Sequence, residues 1–551
     1  METVMKRFFS RACGLATSTA VVLALTACAS STPTRPAAWG EPEALVAPSS
    51  FTGVHGLAVD AKGRLLAGSV VGYSMWEVDR KTGAAKVLIP APEGQADDIA
   101  VGPNGELAWT NYLMGMVRYR ENDTAPLKVL AKDLPGLNSL DFDRKNGKLY
   151  ASQVFLGDAL WELDVAGVKA PRLIAKDMGG FNGFEVGPDG MLYGPLWFKG
   201  QVVKIDPANG AITVINSEFK IPAAANLDGK GNLWVVDTRT GELCKVELAS
   251  GRKTVVKQLK PALDNLAIAP DGTVYVSNMA DNSIEAFNPA TGELRTLTSG
   301  KLAVPAGLKL DGDSLWVADV FGFRQVNVKS GDVKDIFRMQ ASDMEYPFAV
   351  GVSSKLFALT SWFTGTVQLV DRATLKTVHM IHGLKAPFDA LPMEDGSVVY
   401  AEIATGSITQ ASGADFKTTK VIASGLAGPV QMTLGRDGAL FVTEAAGKLT
   451  RIDLASGAKT EVASGLALPE GVAQTPWGTF IVAETAKGQL TEIDPATGTR
   501  RTIATNLPIG LPAGPGMPPP YVVTGVAVGP DGTVYFSADK NNAVYRVRPQ
   551  R

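Results

Sequence analysis

The sequence has little of what metal-cluster, disulfide-framework and nucleic-acid proteins need. Three Cys and three His in 551 residues are too few for most zinc clusters. Neither sign of charge prevails. Lys plus Arg is 53 and Asp plus Glu is 55, so the chain lacks the basic excess that displaces counterions from nucleic acid. There is no Gly-x-Ser-x-Gly elbow, no Gly-rich phosphate loop ending in Lys and Ser or Thr, and no His-Glu-x-x-His. Serine-esterase, nucleotide-hydrolysing and zinc-protease chemistries are set aside on that ground. Aromatic residues are only 7%, whereas 58 Gly and 33 Pro point to many turns. With 45% hydrophobic and 20% charged residues, the chain has the material for a sizeable core. Its length allows about three or four domains.

The N-terminus reads as an address. Lys6, Arg7 and Arg11 precede an apolar segment from Gly14 to Leu25, too short to span a membrane and shaped like a secretory signal. Leu25-Thr26-Ala27-Cys28 resembles the lipobox of bacterial lipoproteins. That resemblance implies cleavage of residues 1–27, acylation of Cys28 and, with Ala29 following, an outer-membrane anchor facing the periplasm. An ordinary signal cleaved near Ala27-Cys28-Ala29 is the alternative. Residues 28–42 then read as a flexible tether. Cys244 is left as the one remaining thiol, so no intrachain disulfide is expected.

The rest of the chain is a repeat. Copies begin at Gly56, Asp98, Ser139, Gly183, Ala224, Asn265, Gly307, Ala349, Asp389, Gln431, Gly471 and Gly525, spaced 40 to 44 residues apart except for a last step of 54. In the copy from Asn265 to Thr298, Leu266 and Ile268 form strand A, and Pro270-Asp271-Gly272 is a hairpin turn. Val274-Tyr275-Val276 is strand B and the alternating Ser283–Phe287 is strand C. Asn288-Pro289-Ala290-Thr291-Gly292 turns the chain into strand D, Leu294–Leu297. A four-stranded antiparallel unit at this period predicts a β-propeller blade. The expected fold is all-β, with twelve blades in two six-bladed propellers. Contiguous rings would occupy residues 43–302 and 303–551. The last copy lacks a strand D, however, and Glu43–Ala47 looks like an isolated one. In that alternative the last blade is closed by the N-terminal strand and one ring is discontinuous.

In such a blade the residue opening strand A faces the central mouth. This slot reads His55, Asp97, Asn138, Asn182, Ala223, Asp264 in the first six copies and Ala306, Phe348, Phe388, Val430, Glu470, Thr524 in the last six. Polar oxygen donors therefore gather in the first half, the donor type that a hard cation such as Ca²⁺ takes. The competing reading is that each Asn or Asp caps its own turn.

The entries Ala96-Asp97-Asp98-Ile99, Gly136-Leu137-Asn138-Ser139, Phe181-Asn182-Gly183 and Asp264-Asn265-Leu266-Ala267-Ile268 resemble those of the paraoxonase and gluconolactonase/regucalcin (SMP-30-like) families. Those families are six-bladed, Ca²⁺-dependent lactonases and esterases. The resemblance implies Asp97, Asn138, Asn182 and Asp264 as ligands of a Ca²⁺-like ion. It also implies His55, within Val54-His55-Gly56, as the water-activating group, and a further role for Asn265 as a catalytic residue or fifth ligand. Asp97 stands where those families have Glu, and Ala223 interrupts the order. The repeat also resembles NHL repeats and the virginiamycin B lyase family, which would imply metal-dependent elimination instead of hydrolysis. A non-enzymatic scaffold that holds an envelope protein partner is a further alternative. A monomer acting on a small molecule, without nucleic acid, is the expectation.

Three further features stand out. Tyr112, Phe155, Trp197 and Phe198 lie in B–C loops of the first half and read as an apolar collar for substrate or as inter-blade packing. Glu402, Glu444, Glu470 and Glu484 form a second-rim acidic group, read either as a second cation site or as turn-capping carboxylates. The Pro-rich insertion Leu507 to Tyr521 reads as a lid over the second mouth or a stiff loop.

Overall fold

A computed structural model describes residues 33–517 and 519–550. Cys28 and the segment 1–27 lie outside the described residues.

The repeat folds as its turns dictate. In blade 6 the Gly272 N–H bonds the Ala269 carbonyl at 2.8 Å, and Asp271 accepts the Thr273 N–H at 3.0 Å. Gly272 needs φ +86°, which Gly adopts without a Cβ clash. Strand B, Val274–Asn278, is buried along its whole length, whereas strand D, Leu294–Thr298, is largely outside. Each fully buried Val or Leu in such a strand contributes about 1.5–3 kcal/mol. Twelve four-stranded antiparallel sheets result.

Strand A of blade 6 (Leu263–Ile268) packs on strand A of blade 1 (Val54–Val59), which closes the first ring over residues 54–298. In the second ring, strand A of blade 12 (Val526–Val528) packs on that of blade 7 (Leu308–Asp311). Blade 12 takes its fourth strand from Glu43–Val46, which pairs antiparallel with Ala543–Val547. The first ring is therefore an insertion within the second, and residues 43–53 do not belong to it. The N-terminal strand supplies the outer strand that blade 12 lacks, so the two ends of the described chain meet in one blade.

The described part of the tether also differs from the expectation. Ala38–Trp39 pairs with Pro549–Gln550, Trp39 meets Trp477 with centroids 6.0 Å apart, and Arg35 bonds the buried Glu492 at 2.9 Å. A Trp contact and an ion pair to a buried carboxylate hold residues 35–39 against the second ring.

Neighbouring blades are stitched by a recurring bond, in which a carboxylate on strand A accepts a backbone N–H from the next blade. Asp98 takes Leu140 (3.2 Å), Asp141 takes Val186 (2.7 Å), Glu185 takes Leu227 (2.6 Å) and Asp389 takes Met432 (2.8 Å). Glu470, only 1% exposed, takes Thr524 at 2.6 Å. Burial, and then the nearby Asp539 charge, pushes Glu470 up to about 8, and burial pushes Asp539 up to about 7. Both folded values lie above the unfolded values of about 4. The folded state therefore holds more protons between those values, and stability falls as pH rises from about 4, the loss being complete once pH has passed about 7–8. Denaturant unfolding across pH is expected to show that decline, flattened in Glu470→Gln. An equal slope in both proteins would refute the assignment.

Candidate functional site

Strand A openings are where this fold aims side chains inward. The register shifts at Val54/Leu57, Leu137/Ser139 and Leu263/Leu266, a bulge of the kind that re-aims a side chain. Close blade approach fixes the spacing: a Cβ on Gly56 would sit 2.9 Å from the Asp97 carbonyl oxygen, and one on Gly183 would sit 2.3 Å from the Ala224 Cα.

Five of the six slots thereby converge, all but Ala223, and one atom each from His55, Asp97 and Asp264 lies within 4.8 Å of the others. Asn138 and Asn182 line the same cavity. They are tied together by Ser139, whose Oγ lies 3.1 Å from Asn138 Oδ1 and 2.9 Å from Asn182 Oδ1. The Gly183 N–H donates to Ser139 Oγ at 2.6 Å and to Asn182 Oδ1 at 3.0 Å. His55 Nδ1 lies 2.9 Å from the Gly53 carbonyl, an acceptor only, so Nδ1 carries the proton and Nε2 is left with a lone pair.

Burial, followed by the charges of Asp264 and Asp98, holds Asp97 well above the usual carboxylate range, while the Asn138 amide pulls it back. Burial also raises Asp264, opposed by His55. Among the described residues the Asp264 carboxylate accepts no hydrogen bond. Two close carboxylates with so few donors call for a proton or a cation. Ligand atoms 4.8 Å apart can share one ion, since Ca²⁺–O distances are about 2.3–2.6 Å. The donor set Asp97, Asp264, Asn138 and Asn182 fits a hard divalent cation.

No family model matches the chain, and no curated protein matches it. Among solved structures it is similar to a streptogramin B lyase at 15% identity and a TM-score of 0.27, covering 60% of this chain and 93% of that one. It is also similar to virginiamycin B lyase from Staphylococcus aureus at 15% identity and a TM-score of 0.25, covering 59% of this chain and 94% of that one.

The remaining sequence candidates divide. Tyr112, Phe155 and Trp197 line the cavity. Tyr112 and Trp197 each open a single 3-10 turn that ends at a left-handed glycine, Gly115 (φ 61°) and Gly200 (φ 62°). Phe155 holds a φ of 67°, unusual for an aromatic residue, and meets Trp197 edge-on at 5.1 Å. Phe198 does not line the cavity; it is 59% exposed and packs edge-on against Phe155 at 5.6 Å. Asn265 also stands apart. Its Oδ1 caps Leu266 and its Nδ2 donates to Asp98 at 3.0 Å, in the shaft beyond the floor. It lies inside the bulge beside Asp264, and the two neighbouring side chains face different cavities.

The four glutamates of the second ring do not form a free acidic cluster. Glu402 accepts the Lys385 N–H at 2.6 Å, Glu444 the Ala427 N–H at 2.5 Å and Glu484 the Ala467 N–H at 2.8 Å, each 17 residues earlier. Asp237 does the same with Lys220 in the first ring, at 2.7 Å. They tie the end of strand B to the opening of strand A, and Glu470 stitches blades.

The second ring plays a different part. Its shaft is plugged by Phe388, Val430 and Val523, with Trp362 stacked on Phe388 at 6.1 Å. Its Phe321, Tyr346, Phe348, Trp362 and Phe363 line the same cavity as the first ring's floor, so one apolar-roofed chamber of about 90 Å³ lies between the rings. The Pro-rich insertion joins this roof through Met517 and Tyr521, and Tyr521 meets Tyr73 of the first ring at 5.8 Å. It lies between the mouths, not over the second alone. Tyr346 escaped the sequence reading because it belongs to no repeat slot. The available signal was an aromatic two residues before the blade 8 opening at Phe348, in a long D–A connection.

Proposed function

We propose that the chain is a hydrolase, dependent on a Ca²⁺-like cation, that cleaves a small lactone or ester between the two rings. The convergence of His55, Asp97 and Asp264 at the floor of an apolar-roofed chamber supports this most directly. Asp97, Asn138, Asn182 and Asp264 would hold the ion, which when bound supplies Lewis-acid polarisation of a carbonyl.

His55 serves as general base through Nε2, with the Gly53 carbonyl fixing its tautomer. Water oxygen adds to the carbonyl carbon as its proton passes to Nε2, and the carbonyl π pair moves onto oxygen. Collapse of the tetrahedral centre expels the alkoxide, which takes the proton back from the imidazolium. Acid and alcohol are the products. The aromatic roof excludes bulk water and favours an apolar substrate. In this reading the protein is an envelope lipoprotein held through Cys28, and acts as a monomer.

A screen of γ-butyrolactone, dihydrocoumarin and phenyl acetate tests the proposal. Turnover that is abolished by chelator and restored by Ca²⁺ is expected, with one oxygen from ¹⁸O-labelled water in the acid. An unsaturated product without label would identify a lyase, and no turnover of any kind would favour a scaffold.

A further inference from the structure

The second ring does more than cover the site. Tyr346 lies in the connection between Arg338, which ends strand D of blade 7, and Ala349, which begins strand A of blade 8. Its ring is held edge-on by Phe321 at 6.0 Å and by Phe363 at 5.5 Å. Phe321 in turn packs edge-on against His55 at 5.2 Å, which ties the position of Tyr346 to the floor of the first ring. It lines the same chamber as His55, Asp97 and Asp264.

Trp362 Nε1 donates to the Tyr521 carbonyl at 3.1 Å, and the Tyr521 phenol faces Tyr73. The Tyr346 hydroxyl makes no hydrogen bond to any described residue. Burial raises its pKa, and the charges of Asp97 and Asp264 raise it further. The phenol therefore stays protonated, able to donate.

We propose that Tyr346 is a catalytic residue delivered by the second ring, donating a hydrogen bond to the substrate oxygen that becomes negative in the transition state. This rests on the hydrolytic reading. Asp97, Asp264 and His55 Nε2 accept hydrogen bonds, whereas the first ring's own neutral donors are the Asn138 and Asn182 amides and the Tyr112 phenol; Tyr346 adds a neutral donor from the opposite wall. Neither ring alone has the complete site.

Tyr346→Phe keeps the ring and removes the donor. Its kcat for phenyl acetate is expected to fall about 10²–10³-fold, the cost of one oxyanion donor, with KM and bound Ca²⁺ unchanged. A second readout is independent of turnover: calorimetric binding of benzylphosphonate, a tetrahedral oxyanion. Tyr346→Phe is expected to weaken it at least about tenfold, and Tyr346→Leu no less. If the wild type hydrolyses nothing, the hydrolytic reading fails and phosphonate binding alone decides the role of Tyr346. Unchanged binding in Tyr346→Phe overturns the proposal, as does loss only in Tyr346→Leu or no binding by the wild type.

Discussion

Asp264→Asn and Asp97→Asn, made separately, are each expected to lose the bound cation and all chelator-sensitive turnover. Both carboxylates belong to a trio, with His55, whose ligand atoms lie within 4.8 Å of one another. Asn is close in size to Asp, so the floor's packing survives while one negative charge is removed. The charge matters because burial already disfavours each carboxylate, and the Asp264 charge raises Asp97 further. Losing a mere supporting partner costs about 10–100-fold in metal affinity, and losing a charged ligand is expected to cost more. Calcium titration of the two variants reads the effect. Folding should be kept or improved without metal, since a like-charge pair is relieved. Wild-type affinity in both variants would remove the trio from the site.

The second large effect is expected at the junction of the rings, at Arg324→Met. Arg324 is fully buried, with Nε 3.0 Å from Asp319 Oδ2, and it bonds Asp335 and the Ala280 carbonyl of the first ring. Asp319 is equally buried, and it also accepts the Ala303 and Val304 N–H groups where the chain passes from one ring to the next. Arg338 completes the clamp, with 2.9 Å to Asp281 and 3.0 Å to Asn278 of blade 6. Removing one partner of a buried pair leaves the other charge uncompensated, at a cost of about 3–5 kcal/mol. The melting temperature should drop by several degrees. The double variant Arg324→Met, Asp319→Asn should recover part of the loss, because the stranded charge is gone. A melting temperature unchanged by Arg324→Met would show the junction contributes little.

These two sites differ in how far the sequence exposes them. The floor was legible because each slot is fixed by the repeat: once Pro270-Asp271-Gly272 is a hairpin, Asp264 must open strand A, and the same count finds His55, Asp97, Asn138 and Asn182. Asn265 was misjudged because the bulge between Leu263 and Leu266 sends the adjacent Asp264 and Asn265 side chains to different cavities, and the bulge has no signature in the sequence. The glutamates at 402, 444 and 484 show their slot but not their partners. Asp237, in the same slot of blade 5, has the same bond to a backbone N–H.

The ring junction was not legible. Arg338 reaches the Pro261 carbonyl 77 residues away, and Tyr521 meets Tyr73 across most of the chain. Such contacts follow from how two finished rings dock, which leaves no periodic trace. The partition of the rings turned on one strand, Glu43–Val46, whose apolar pattern suits either ring. Its pairing with Ala543–Val547 is set by the missing edge of blade 12.

The most direct test of the central claim is the metal content of the purified protein, together with thermal unfolding with and without chelator. One Ca²⁺ per chain and a clear chelator-induced fall in melting temperature are predicted, because a ligand bound only by the native state stabilises it. No bound divalent metal and identical melting curves would contradict a cation site at Asp97, Asn138, Asn182 and Asp264.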